Sequence, residues 1–271
     1  MKEIKILYLY PDMLELYGDY GNIQVLKYRI ESRGYKVTID RYSIGDPAPD
    51  FNSYDIVFAG GGADNEQSIL SEDLIQYKEN IKEAVENGVF FLLICGAYQL
   101  FGKYYKSVEG NIIPGLEIFD YYTEANPDRK QRCIGNIIIE VKLKSNQNSN
   151  SNENNESDLN SNEEITTKVI GFENHGGQTF NIDTPLGDVL YGNGNKFGDS
   201  KEGFMQNNVI ATYLHGSLLS KNPELADHII KYCLDRKYNE DITLEPLNDE
   251  FENKCRKQLL NRFLRNKSER P

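Results

Sequence analysis

The hydrophobic positions of the first hundred residues alternate between a strand period and a helix period. Apolar runs at Ile4–Leu9 and Val89–Ile94 predict buried strands. Between them, apolar residues from 23 to 33 recur at helical spacing until Gly34, which is typical of a helix end. The same reading predicts strands at Tyr35–Ile39 and Asp55–Ala59 and a helix at about Ser71–Glu86. Such alternation predicts βαβ units and an open, mostly parallel α/β sheet flanked by helices.

The second half of the chain is richer in strand patterns. We expect the strands at Cys133–Leu143, Thr167–Phe172, Gly187–Tyr191 and Val209–Leu214. Asn222 followed by Pro223 predicts the capped start of a helix that runs to about Arg236. A last amphipathic helix is expected at about Asp249–Arg265. We expect residues 1–271 to form a single domain.

The segment Ser145–Glu164 differs from the rest of the chain. It contains eight Asn and five Ser, almost no apolar residues and no periodicity. Burial cannot offset the entropy cost of ordering such a segment, so we expect a disordered insertion within a hairpin.

Composition and charge narrow the class of protein. The net charge of −12 argues against a nucleic-acid-binding surface, which needs clustered Lys and Arg. The N-terminus reads as a strand rather than a signal peptide, and no apolar run reaches the ~18–20 residues of a membrane span, so the expected compartment is the cytoplasm. The four cysteines form no CxxC pair.

Cys95 is the cysteine whose position suggests chemistry. It lies where the buried strand 89–94 ends and a helix begins at Gly96. A strand-to-helix turn exposes a nucleophile above the carboxyl edge of the sheet, and the helix N-terminus favours the thiolate. A buried structural cysteine is the alternative.

A cysteine nucleophile needs a base, and the chain has three histidines. His228 falls within a helix pattern. His215 follows the strand 209–214, whereas His175 lies in a glycine-rich loop. The carboxyl ends of parallel strands converge on one crevice, so His215 is the preferred base and His175 the alternative.

A glycine loop, Gly60–Gly62, also follows a predicted strand. It lacks the spacing of a phosphate or dinucleotide loop. Beside the Cys95 turn, its backbone N–H groups can help to bind an oxyanion, although an ordinary tight turn explains it equally.

Together these features resemble a known family, the class I glutamine amidotransferases, and more narrowly their cobyric-acid-synthase-like branch. The similarity extends to nearly the whole chain outside the Asn/Ser segment. It is strongest in the segments Leu16–Ile23, Ile94–Gln99, Gly171–Thr179, Thr212–Gly216 and Pro223–Asp227. The resemblance implies a flavodoxin-like fold and glutaminase activity.

The resemblance also implies roles for individual residues. Cys95 matches the nucleophile and His215 its partner, and the N–H groups of Gly62 and Gly96 match the oxyanion donors. Arg132, in the pattern Arg-Cys-Ile-Gly-Asn, matches the residue that contacts glutamine.

Two substrate contacts stay open. Arg129 is the alternative to Arg132, and Gln99, one helical turn after Cys95, is either a contact for the α-groups of glutamine or a polar surface residue.

Many members carry an acid two residues after the histidine, but Ser217 stands there, so we expect a Cys-His dyad. Ala97 replaces the usual Gly of the elbow.

The chain has no phosphate loop or metal-ligand cluster, so we expect no cofactor or metal in it and an ATP-using partner. The resemblance implies a heterodimer with a MurT-like Mur ligase subunit. That pair would amidate D-glutamate of lipid II, in peptidoglycan biosynthesis, at the inner face of the membrane. The alternatives are an amidotransferase subunit of another synthetase, such as one amidating cobyrinic acid, and a non-catalytic regulatory subunit.

Overall fold

The computed structural model describes residues 1–144 and 164–265. The strands are β1 (Glu3–Leu9), β2 (Lys36–Tyr42), β3 (Ile56–Ala59), β4 (Phe90–Ile94), β5 (Tyr104–Lys106), β6 (Ile112–Pro114), β7 (Tyr122–Ala125), β8 (Cys133–Lys144), β9 (Glu164–His175), β10 (Gly177–Phe180), β11 (Gly187–Tyr191), β12 (Lys201–Glu202), β13 (Phe204–Gln206) and β14 (Val209–Thr212). The α-helices are α1 (Tyr20–Glu31), α2 (Asp64–Leu74), α3 (Lys78–Glu86), α4 (Gly96–Phe101), α5 (Pro223–Tyr238) and α6 (Glu250–Arg265).

A six-stranded sheet forms the centre of the molecule, in the order β13-β14-β4-β3-β1-β2. Every pairing in it is parallel except that of the edge strand β13 with β14. All residues of β3, β4 and β14 are buried, which explains their unbroken apolar sequences. The expected mixed α/β fold with a parallel-rich sheet is confirmed.

Two four-stranded sheets accompany the central one, in the orders β10-β7-β5-β6 and β12-β11-β8-β9. Five of their strands have two to four residues, too short to show a period, and none of these five was predicted. The long strands β8 and β9 pair antiparallel from Cys133 opposite His175 to Lys144 opposite Glu164. The predicted disordered insertion therefore connects two paired strands, but residues 145–163 lie outside the described residues.

Several predicted boundaries differ from the structure, and β14 ends at Thr212 rather than at Leu214. The helix expected at 71–86 is two helices, broken at a 3-10 turn, Ile75–Tyr77. Tyr77 there has non-helical dihedrals, and its hydroxyl bonds that of Tyr42 at 2.8 Å. Glu164 belongs to β9 rather than to the preceding loop, and α5 continues past Arg236 to Tyr238.

Asn222 precedes α5 as predicted, but its side chain does not cap that helix. Its amide instead accepts from the backbone N–H of Ile170 at 2.9 Å and donates to the carbonyl of Ile170 at 2.8 Å. Asn222 therefore ties the start of α5 to β9. Among the described residues, no helix is long and apolar enough to cross a membrane.

Candidate active site

Cys95 stands alone between β4 and α4, in a backbone conformation that non-glycine residues rarely adopt. Its φ is 51° and its ψ is −99°, and the side chain is buried with 7% exposure. Its N–H donates to the carbonyl of Thr212 at 2.8 Å, which anchors the turn to β14. A strained residue of this kind costs about 1–3 kcal/mol and persists only where the surrounding structure enforces it.

His215 lies three residues beyond the end of β14 and is fully buried. Two backbone hydrogen bonds with Phe172 of β9, of 2.8 and 3.2 Å, fix its main chain. Its Nδ1 is 3.0 Å from Oδ2 and 3.2 Å from Oδ1 of Asp19. Its Nε2 is buried and has no hydrogen-bond partner among the described residues, and the nearby Cys95 side chain affects the charge of the ring.

A carboxylate contacts His215, although no acid lies two residues after it in the sequence. Asp19 directly precedes α1 and is fully buried. Its Oδ2 also accepts the N–H of Gly61 at 2.9 Å, so the carboxylate bridges the glycine loop and the imidazole. The sequence placed Ser217 where an acid was sought, but the acid comes from the opposite end of the chain.

Opposing effects set the charge of His215. Burial lowers its pKa, but the interactions with Cys95 and the hydrogen bond and charge of Asp19 outweigh burial and raise the pKa to about 10. The imidazolium form is therefore favoured at neutral pH. It lies between the carboxylate of Asp19 and the side chain of Cys95.

The glycine loop packs directly against these groups. A Cβ on Gly61 would lie 2.6 Å from Cε1 of His215 and 3.4 Å from Cβ of Cys95, so only glycine fits there. A Cβ on Gly96 would lie 3.0 Å from the backbone nitrogen of Gly62. Within the described residues, the N–H groups of Gly62 and Gly96 have no acceptor. These two donors therefore lie close together beside Cys95, as an oxyanion site requires.

A cavity of about 560 Å³ opens onto Cys95. The predicted substrate residues Gln99, Arg132 and Arg129 all line it. Gln99 is buried, and its Nε2 donates to the hydroxyl of Tyr213 at 3.1 Å, so it is not a surface residue. Arg132 is exposed, and its Nε donates to Oδ1 of Asn174 at 3.1 Å.

His175, the alternative base, also lines the cavity but lies in a different environment. Its ring stacks on Tyr213 with centroids 3.7 Å apart, and its Nδ1 is 2.7 Å from the carbonyl of Gly177. Burial lowers its pKa to about 3, so this ring is neutral. Among the described residues, a carboxylate contacts the ring of His215, whereas the ring of His175 contacts a backbone carbonyl.

Three residues of the site were not predicted from the sequence: Asp19, which contacts His215, and the cavity residues Tyr17 and Asn174. Tyr17 and Asp19 lie in Leu16–Ile23, and Asn174 lies in Gly171–Thr179, both segments that carried the family resemblance. The sequence therefore indicated these residues only through the segments that match the family, because no spacing assigned a role to any of them.

Comparison with known proteins agrees with this geometry. The family model of the CobB/CobQ-like glutamine amidotransferase domain matches residues 5–223. The chain therefore belongs to the CobB/CobQ-like glutamine amidotransferase family. The predicted class of enzyme is confirmed.

Curated relatives include two that match most of the chain. The chain is 39% identical over 249 residues to the GatD subunit of lipid II isoglutaminyl synthase (glutamine-hydrolyzing) from Streptococcus pneumoniae, covering 91% of this chain and 86% of that protein. It is 35% identical over 272 residues to the subunit of the same name from Staphylococcus aureus, covering all of both chains. A probable cobyric acid synthase from Methanocaldococcus jannaschii is 29% identical over 65% of this chain and 32% of its own length.

A solved structure described as a glutamine amidotransferase matches with a TM-score of 0.50 and 13% identity, over 84% of this chain and 98% of that one. At this identity the match concerns the fold alone. It is consistent with the central parallel-rich sheet described above.

Proposed function

We propose that this protein is the glutaminase subunit of a lipid II isoglutaminyl synthase, with Cys95 as nucleophile, His215 as acid and base, and Asp19 as the group that orients His215. The observation that supports this most directly is the buried chain of contacts from Asp19 through His215 to Cys95. The fold we infer is the flavodoxin-like one of class I amidotransferases.

In the proposed reaction, the Cys95 thiolate attacks the side-chain amide carbon of glutamine. The N–H groups of Gly62 and Gly96 stabilise the oxyanion that forms. His215 donates its proton to the departing ammonia, which leaves a glutamyl thioester on Cys95. The neutral imidazole then removes a proton from water as the water attacks the thioester. The C–S bond breaks, glutamate leaves, and the Cys95 thiolate and the His215 imidazolium are restored.

Substrate recognition in this proposal rests on Arg132. Its guanidinium can bind the α-carboxylate of glutamine through two hydrogen bonds, because the planar fork matches a carboxylate. Gln99, which also lines the cavity, would contact the α-groups of glutamine. Arg129 also lines the cavity and is the alternative carboxylate ligand.

The acceptor and the partner are inferred from the relatives. The two GatD subunits match over 86% and 100% of their own length, whereas the cobyric acid synthase matches over 32% of its length. This favours lipid II over a cobyrinic acid derivative as the final acceptor. A MurT-like, ATP-dependent ligase subunit would receive the ammonia and amidate D-glutamate of lipid II at the inner face of the membrane, with no cofactor in this chain.

The test is a cysteine exchange in the reconstituted pair. Cys95→Ala should abolish glutamate release and glutamine-dependent amidation of lipid II, while free ammonia still supports amidation by the partner. Cys255→Ala is the matched control, because Cys255 is exposed on α6 and does not line the cavity. Retained glutamine-dependent amidation by Cys95→Ala would mean that the chain is not the glutaminase.

A further inference from the structure

A chain of side-chain hydrogen bonds crosses the mouth of the cavity, with Asn174 at its centre. Oδ1 of Asn174 accepts from Nε of Arg132 at 3.1 Å, and Nδ2 of Asn174 donates to the hydroxyl of Tyr17 at 2.6 Å. All three residues line the cavity above Cys95. They come from β9, from the residue before β8 and from the loop between β1 and α1.

One end of this chain is the guanidinium of Arg132. The side chain is solvent-exposed, and an arginine in water samples many rotamers. Nε of Arg132 donates to the side chain of Asn174, and Nη2 of Arg132 donates to the backbone carbonyl of Asn174 at 3.5 Å. Nη1 lies next to Gly176, whose missing Cβ would be 3.1 Å away. Asn174 therefore holds the guanidinium at the cavity before any substrate arrives.

The other end of the chain is the ring of Tyr17. Tyr17 has φ 56° and ψ 26°, a left-handed conformation that is uncommon for an aromatic residue. Its ring packs edge-on against His215, with centroids 4.9 Å apart and planes at 71°. The hydrogen bond from Asn174 accounts for how this half-exposed ring stays in place over the base.

We propose that Asn174 is a positioning residue that fixes Arg132 for the α-carboxylate of glutamine and Tyr17 over His215. The proposal rests on the proposed glutaminase function and on the role given there to Arg132. Because Asn174 orders Arg132 in advance, the substrate does not bear the entropy cost of immobilising that side chain. Losing this order should weaken binding of the α-carboxylate about three- to tenfold.

The test compares two reagents that alkylate Cys95. One is 6-diazo-5-oxo-L-norleucine, which has the α-amino and α-carboxylate groups of glutamine. The other is iodoacetamide, which has neither. In Asn174→Ala, the concentration of the first reagent that gives half-maximal inactivation should rise about three- to tenfold, and the rate with iodoacetamide should change less than twofold. The KM for glutamine should rise by the same factor.

Combined variants separate the two ends of the chain. Asn174→Ala should add nothing to Arg132→Ala, since both remove the same interaction. Tyr17→Phe removes only the hydrogen bond at the other end of the chain and leaves the bond between Asn174 and Arg132, so the affinity for the amino-acid reagent should change less than in Asn174→Ala. Asn253→Ala, on the exposed face of α6, and Tyr28→Phe, on α1, are the matched controls.

The outcomes are distinct. If wild type is not inactivated by the amino-acid reagent, the glutaminase function itself is wrong. If wild type is inactivated and Asn174→Ala has the same affinity, Asn174 does not position Arg132. If Asn174→Ala slows both reagents equally, the residue acts on the fold of the site, and the proposal is overturned.

Discussion

The substitution Asp19→Asn removes the carboxylate beside His215 with almost no change in the shape of the side chain. Oδ2 of Asp19 accepts two N–H groups, from Gly61 at 2.9 Å and from His215 at 3.0 Å. An asparagine can place its oxygen where Oδ2 lies, but that oxygen carries no charge, and an NH2 group then replaces Oδ1, which lies 3.2 Å from Nδ1 of His215. Loss of a hydrogen bond to a charged group costs about 1.5–3 kcal/mol. At 1.36 kcal/mol for each factor of ten, kcat/KM for glutamine should fall about 10- to 150-fold.

A second readout tests the cause. Without the charge of Asp19 and its hydrogen bond, the pKa of His215 should fall below its present value of about 10. The measurement is an NMR titration of the imidazole nitrogens, which is tractable because the chain has three histidines. Asp55→Asn is the control, since Asp55 is also buried but pairs with Lys237 and does not line the cavity. Wild-type kcat/KM in Asp19→Asn, with an unchanged pKa of His215, would refute the reasoning.

Gly61→Ala should lower kcat about 100-fold, because its Cβ would meet Cε1 of His215 at 2.6 Å, whereas Gly110→Ala, in an open turn, should leave kcat unchanged. Burial raises the pKa of Glu202 from 4.5 to about 8. Between pH 4.5 and pH 8, the Glu202 carboxyl is therefore protonated in the native state and ionised in the unfolded chain. The free energy of unfolding of wild type, relative to Glu202→Gln, should therefore fall by about 1.4 kcal/mol per pH unit across that window in urea titrations, and a flat difference would contradict this. His175 should show no NMR titration from pH 5 to 9, because its pKa is about 3, and a midpoint near 6.5 would refute its burial as a neutral ring.

The predictable part of the structure is the part encoded in local patterns. The strands β3 and β4 were readable because burial on both faces makes every residue apolar. The place of Cys95 followed from the end of such a run. The strand end before His215 likewise placed that residue at the same edge of the sheet, next to Cys95.

The parts that were missed depend on distant contacts. Asp19 and His215 are 196 positions apart, so no spacing rule connects them. The break between α2 and α3 depends on Tyr77, which contacts Tyr42 across 35 positions. Short strands such as β5 and β6 owe their pairing to neighbours rather than to their own sequence.

The β8–β9 hairpin separates the two ends of its strands by a large distance. Cys133 and His175 are paired at the cavity end, and Lys144 and Glu164 are paired eleven steps away, about 37 Å at the usual rise per residue. Segment 145–163 is joined at that far end. A fluorescent label or an affinity tag inserted between Lys144 and Glu164 would therefore join the chain at the end of the hairpin away from Cys95, which makes this position a practical handle for testing the proposed association with a partner subunit.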